Sequence, residues 1–341
     1  GDDTYVFATG GDTDTITEKA DEGSDTLDYS AFPDTATVTV DLGGTTAPGT
    51  NGIANIENVI GGSGDDILSG NDYANRLVGG PGDDILSGGH GDDTYVLNPD
   101  GTDTINEVSG GGSDTLDYSV FTDPVIVNLG GTTAPGTNGI ANIENVTGGA
   151  GDDTLTGDGN ANRLTGGPGS DDLAGGGGDD TYILTPDGGA DTITEHDGGG
   201  SDTILGPDAD TDWIITDVDY DLDGDGADDL LLGPDSGLIT GGTSFVGIEH
   251  LVGGSADDNF KFEAGGSISG SIQSGGQVEG DAVIAAAEAN AWAITGTNAV
   301  TLNSYSFSDI ENLIGGSLDD TFVFEASGSI SGLVAGGPDN A

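Results

Sequence analysis

From Gly61 to Val96 one large apolar residue returns every nine positions, as Leu68, Leu77, Leu86 and Tyr95. Each closes a phrase that opens on glycine: Gly61-Gly-Ser-Gly-Asp-Asp-Ile-Leu-Ser69, Gly70-Asn-Asp-Tyr-Ala-Asn-Arg-Leu-Val78, Gly79-Gly-Pro-Gly-Asp-Asp-Ile-Leu-Ser87 and Gly88-Gly-His-Gly-Asp-Asp-Thr-Tyr-Val96. The phrase runs four times again from Gly148 to Ile183. A nine-residue period belongs neither to a helical stripe nor to a long alternating strand. It predicts three-residue extended segments, each sending one side chain inward, separated by tight turns. Two phrases then make one coil of 18 residues, so that position 66 lies under 84 and position 75 under 93.

Longer repeats surround these blocks. Gly1-Asp-Asp-Thr-Tyr5 returns at Gly91 and at Gly178, and residues 42–59 return unchanged at 129–146. Such periodicity implies stacked units sharing one core. Ala36–Leu42, Pro124–Leu129, Asp25–Tyr29 and Asp114–Tyr118 read as further strands. The last third has its own period: residues 244–260 align with 306–322, and Gly266–Gly270 with Gly328–Gly332. The Ala-rich run Ala282 to Ala293 reads equally as a short helix or as a strand ending at Trp292-Ala-Ile294. The expected organisation is a long repeat over 1–90 and a second with a partial third over 91–205. A strand-loop segment over 206–242 and two degenerate repeats over 243–341 follow.

The phrase follows the pattern G-G-x-G-x-D-x-U-x, with U a large apolar residue, and on those residues it resembles the repeats-in-toxin (RTX), or haemolysin-type, nonapeptide. The resemblance implies an all-β fold: a parallel β-roll or β-solenoid with Gly/Asp-rich calcium-binding turns and an elongated repeat architecture. The glycines at the first, second and fourth positions are expected to turn the backbone through positive φ.

Stacking decides the chemistry. Asp66 and Asp84 would sit a strand spacing apart, roughly 5 Å, and two carboxylates so placed repel unless a cation lies between them. Ca²⁺ suits the gap, because it takes six to eight oxygen ligands in flexible geometry, carbonyls included. On the opposite edge Asn75 faces Asp93, a pair with one charge fewer and a weaker expected grip. The second block repeats the scheme with Asp153 over Asp171 and Asn162 over Asp180, while Asp3 holds the ligand position of the first partial phrase.

Two further places carry oxygen ligands. Asp221, Asp223, Asp225 and Asp229, with Gly226 at the sixth position, resemble the start of an EF-hand-type loop, although Leu232 stands where the bidentate Glu belongs. The expected form is a calcium loop between strands, one ending at Trp213-Ile-Ile215 and one beginning at Leu230. Asp258 and Asp320 hold the ligand position of isolated phrases in which Ala256 and Leu318 replace the fourth glycine. Neither has an Asp eighteen residues away to complete a pair.

Composition narrows the partners. Asp and Glu number 62 against four Lys and Arg, for a net charge of -58, which opposes compaction through self-repulsion. A disordered acidic segment or a halophile's surface would share that balance, but neither requires Asp at a fixed phase to glycine and to an apolar residue. Nucleic acid is a poor partner for such a chain. No apolar run is long enough to span a bilayer as a helix, so membrane insertion is not expected. The lack of cysteine excludes a disulfide framework. His90, His196 and His250 are scattered, and no metalloprotease, nucleophile-elbow or P-loop motif is present, so an enzyme is not expected.

The resemblance implies secretion through a type I channel and an extracellular or cell-surface place. Cytosolic calcium is too low for extracellular-type sites with dissociation constants on the order of 10⁻⁴ to 10⁻³ M, so the chain is expected to stay extended inside the cell and to fold outside. The leading expectation is a structural repeat region of an adhesin, matrix fibre or surface layer. Because Gly1 starts mid-phrase and Gly337 falls near the start of another, head-to-tail self-association into fibres or a lattice is part of that expectation. The alternatives are the calcium-binding C-terminal domain of a type I-secreted hydrolase or alginate epimerase, and a pore-forming toxin's receptor domain.

Overall fold

A computed structural model describes residues 1–10, 13–19, 23–44, 46–132, 134–195, 199–217, 234–276 and 280–338. They pack into two compact units, Gly1–Asp158 and Gly159–Ala341. Every helix or strand among the described residues is a strand, and most are three residues long.

In the first unit a parallel sheet takes Thr4–Val6, Thr26–Asp28, Asn58–Ile60, Arg76–Val78, Thr94–Val96, Thr115–Asp117 and Asn145–Thr147 in that order. A second takes Thr39–Asp41, Ile67–Ser69, Ile85–Ser87 and Thr104–Ile105. Successive nonapeptides therefore alternate between two walls, and the unit is a parallel β-roll. The 18-residue coil appears as register, with Ile67 paired to Ile85 and Arg76 to Thr94.

The apolar residue of each phrase explains why three residues suffice for a strand. Leu68, Leu77, Leu86 and Tyr95 are wholly buried, and the same columns continue through Leu27, Val59 and Leu116 on one wall and Val40 on the other. Burying one such side chain contributes about 1.5–3 kcal/mol, so each coil adds its share of a continuous core. The longer coils take up their extra residues in loops that pack back on the roll. Within the repeated loops Tyr29 donates its hydroxyl to Pro48 O at 2.9 Å, and Tyr118 to Pro135 O at 3.0 Å.

In the second unit one sheet runs parallel through Arg163–Thr165, Thr181–Ile183, Thr203–Leu205, His250–Val252, Ser271–Gln273 and Tyr305–Ser308. The other contains Asp172–Ala174, Thr192–Thr194 and Ser244–Val246, then Thr211–Ile215, Asp258–Phe262, Ala282–Ile284, Asn312–Ile314 and Val334–Ala335. Here the roll is not wholly parallel. Gly237–Ile239 pairs antiparallel with Thr211–Ile215, and Ala291–Gly296 with Ala299–Leu302. Antiparallel neighbours can be joined by a tight hairpin, whereas parallel ones need a crossover. Asn298, at φ 52°, supplies the reversal after Gly296.

The Ala-rich run is resolved in favour of strands, Ala282–Ile284 and Ala291–Gly296, which lend Val283, Trp292 and Ile294 to the core. Of the 62-residue period, Phe260 and Phe322 keep both the spacing and the setting, each lying against a tryptophan, although the tryptophans themselves do not keep it. Trp213 stacks on Phe260 with ring centroids 5.4 Å apart, and Trp292 stacks on Phe322 at the same 5.4 Å.

Candidate metal centres

Each phrase turns just before its strand, and the aspartate at its sixth position points into that turn. The Asp66 carboxylate accepts the Val38 N–H at 2.7 Å on Oδ1 and the Gly62 N–H at 2.5 Å on Oδ2. Asp66 in turn donates its own N–H to Asp84 Oδ1 at 2.7 Å, and Asp84 donates to Asp103 Oδ1 at 3.0 Å. Carboxylates thus form a ladder along one edge of the roll. The opposite edge carries another, from Asn75 to Asp93 at 2.7 Å and from Asp93 to Asp114 at 2.8 Å. In the second unit Asn162 donates to Asp180 at 2.7 Å, Asp180 to Asp202 at 2.8 Å, and Asp171 to Asp191 at 3.0 Å.

At two of the stacked steps in the first unit an oxygen facing into the turn is left unsatisfied, unlike those of Asp66. Asp84 Oδ2 and Asp93 Oδ2 are buried and accept no hydrogen bond. Burial, first of all, pushes both carboxyl groups up to about 7, with neighbouring carboxylates adding to the shift. Asp103, Asp114, Asp191, Asp202 and Asp258 are raised to about 6 for the same leading reason. Buried carboxylate oxygens without donors are costly in the charged form. A hard cation satisfies them, so the residues present fit calcium.

Residues 56–96 and 147–182 match the RTX calcium-binding nonapeptide repeat, in four copies. The chain carries RTX calcium-binding repeats. No curated protein matches the chain.

The RTX turn explains its glycines in two ways. Gly80 and Gly82 have φ of 95° and 138°, the left-handed region expected at the second and fourth positions. The first position differs from expectation: Gly79 is not left-handed, but a Cβ there would collide with Asp84 Oδ2. That glycine makes room for the carboxylate.

The sequence-predicted ligands are distributed as follows. Asp66 with Asp84, Asn75 with Asp93, and Asn162 with Asp180 are each brought together. Asp153 lies in the first unit, accepting Val125 N–H at 2.8 Å and Gly149 N–H at 2.7 Å, and Asp171 lies in the second. Asp3 is exposed and donates its N–H to Asp25 Oδ1 at 2.8 Å. Asp258 is fully buried, and its partner is Asp281, which accepts its N–H at 2.8 Å. Asp320 accepts the Asn290 N–H at 3.0 Å. Asp221, Asp223, Asp225, Asp229 and the strand expected from Leu230 lie outside the described residues, as does His196. His250 bridges Ser201 Oγ and Ser271 Oγ, each at 2.9 Å.

Several ladder members lie outside the eighteen-residue rule: Asp25, Asp103, Asp114, Asp191, Asp202 and Asp281. The first five carry the legible signal of Asp-Thr followed by Leu or Ile, the end of the RTX phrase without its leading glycines. Their spacings of 19 to 23 from the preceding member hid them from a fixed period.

Proposed function

We propose that this chain is an extracellular structural region that folds on calcium after secretion, as part of a cell-surface adhesin, matrix fibre or surface layer. RTX repeats are a structural calcium-binding element, not a catalytic one. The observation that carries the reading is the Asp66–Asp84 step, where the Asp84 carboxylate takes the preceding coil's N–H on Oδ1 while its Oδ2 stays buried without a donor. The ion contributes positive charge and a set of oxygen-coordination bonds when bound. The chain's residues do the rest: the ladder hydrogen bonds fix the carboxylates, and the glycine turns hold carbonyl oxygens beside them.

In this reading Asp66, Asp84, Asn75, Asp93, Asp153, Asp171, Asn162, Asp180 and Asp3 are turn ligands, with Asp258 and Asp320 serving the degenerate phrases and Asp221, Asp223, Asp225 and Asp229 a separate loop. A net charge of -58 keeps the ion-free chain expanded. Each tenfold excess of free calcium over a site's dissociation constant adds about 1.4 kcal/mol to the folded state. Several sites acting together therefore convert the calcium difference across a cell envelope into folding on the outside.

Sedimentation velocity of the purified chain in EDTA and then in calcium tests this. The expected result is a slow, extended species becoming a faster one, with a polydisperse series marking assembly into fibres or a lattice. An unchanged sedimentation coefficient overturns calcium-driven folding.

A further inference from the structure

Three carboxylates converge at the end of each nonapeptide block, and two of them lie beyond it in the sequence. Asp93, Glu107 and Asp114 place one oxygen each within 4.8 Å of one another, and Asp180, Glu195 and Asp202 do the same. A more open copy is formed by Asp3, Glu18 and Asp25. In every copy a tyrosine two residues after the first aspartate, Tyr5, Tyr95 or Tyr182, donates its hydroxyl to the glutamate.

The glutamates differ in what is left over: Glu107 accepts the Tyr95 hydroxyl on Oε2 and the Val108 N–H at 2.6 Å on Oε1, whereas at Glu195 every donor falls on one oxygen. Glu195 Oε1 accepts the Tyr182 hydroxyl, the Gly175 N–H at 2.7 Å and the Gly176 N–H at 3.3 Å. Glu195 Oε2 accepts nothing, although the residue is only 5% exposed. In the first-unit copy Asp93 is 0% exposed and its Oδ2 is likewise without a donor. The Tyr95 phenol meanwhile takes the Gly88 N–H at 2.7 Å while donating to Glu107. Each cluster thus keeps a buried oxygen without a donor, Asp93 Oδ2 in the first unit and Glu195 Oε2 in the second. Three converging carboxylates around a buried, donor-free oxygen are a donor set suited to a hard cation.

We propose that Asp93–Glu107–Asp114 and Asp180–Glu195–Asp202 are a second class of calcium site, built from three carboxylates, that closes each nonapeptide block. It differs from the turn sites in taking a ligand from the longer loop that follows the block. Binding there ties that loop, residues 97–113 in the first unit, to the roll. The proposal relies on the RTX reading only for the identity of the ion.

The test uses the full chain and the isosteric double variant Glu107→Gln/Glu195→Gln, with bound calcium counted by equilibrium dialysis. The expected loss is one ion per substituted glutamate, or at least a tenfold weakening of those ions. An unchanged count with unchanged affinities overturns the proposal. Should that variant not fold, Tyr95→Phe/Tyr182→Phe keeps every carboxylate, and terbium serves as the probe. Phenols in contact with a ligand sensitise terbium emission, so the variant is expected to bind terbium and lose most of its tyrosine-excited emission. Full emission in that variant overturns the proposal. Asp84→Asn separates this result from the turn sites: it removes charge from a turn while leaving both clusters intact. If Asp84→Asn changes nothing and the glutamate variant still loses ions, the turn reading fails and this one stands.

Discussion

Asp66 and Asp84 are 18 positions apart in the chain and one hydrogen bond apart in the fold, the Asp66 N–H lying 2.7 Å from Asp84 Oδ1. The bond gives the stack its direction, because each coil's backbone caps the carboxylate of the next. It also consumes one oxygen of Asp84 and leaves the other buried without a donor. A cation relieves what the stacking creates.

Asp84→Asn keeps the shape and the acceptor oxygen while removing the charge. In EDTA the variant is expected to be more stable than the parent, because a buried carboxylate is no longer desolvated. In calcium it is expected to be less stable, by about 1.4 kcal/mol for each tenfold loss of affinity at that site. Thermal melts in both buffers check the crossover. The same sign in both buffers would show that Asp84 carries no ion.

Gly79→Ala places a Cβ against Asp84 Oδ2, with the carboxylate held by the turn. The cost is expected to be about 1–3 kcal/mol, the range for overpacking, and to appear mainly in the calcium-bound melt. Gly159→Ala is the control, since a Cβ there meets nothing within 4 Å. It should stay within about 0.5 kcal/mol of the parent. Equal effects at both positions would refute the crowding argument.

Acid should substitute in part for calcium. Asp84 and Asp93 rise from an ordinary 3.8 to about 7 on folding, chiefly through burial. Between those values the folded chain binds more protons than the unfolded one, so stability without calcium is fully present near pH 4 and is lost as pH rises through about 7. Circular dichroism in chelator is expected to show strand structure near pH 5 and its loss near pH 8. Calcium affinity should run the other way, rising with pH as the carboxyl groups ionise. A chelated chain no more ordered at pH 5 than at pH 8 would count against it.

Trp213 offers a local reporter. Its indole N–H lies 3.4 Å from Asp258 Oδ1, and Asp258 in turn caps onto Asp281. In a Trp292→Phe background, calcium is expected to shift Trp213 emission, and Asp281→Asn to abolish most of that shift. A shift that survives Asp281→Asn would place the ion elsewhere.

How much of this was legible beforehand follows from particular residues. Leu68, Leu77, Leu86 and Tyr95 repeat at a fixed interval and all lie in the core, so the roll, its 18-residue coil and the facing of Asp66 with Asp84 follow from period alone. Asp281 shows where period stops helping: it meets Asp258 across 23 residues, and no count from a nine-residue phrase reaches it.

The amino-acid sequence by itself determined the all-β class, the repeating coil and which turn carboxylates and amides face one another at the eighteen-residue step, because all three depend on spacing within one phrase. Tertiary structure decided the rest. Glu107 meets Asp93 and Asp114 only because a loop of variable length folds back on the block, and Gly237–Ile239 runs antiparallel to Ser244–Val246 only because the turn through Gly241 and Gly242 reverses the chain. Loop closure costs little for a few added residues, so spacing drifts there while the core column above and below keeps its register.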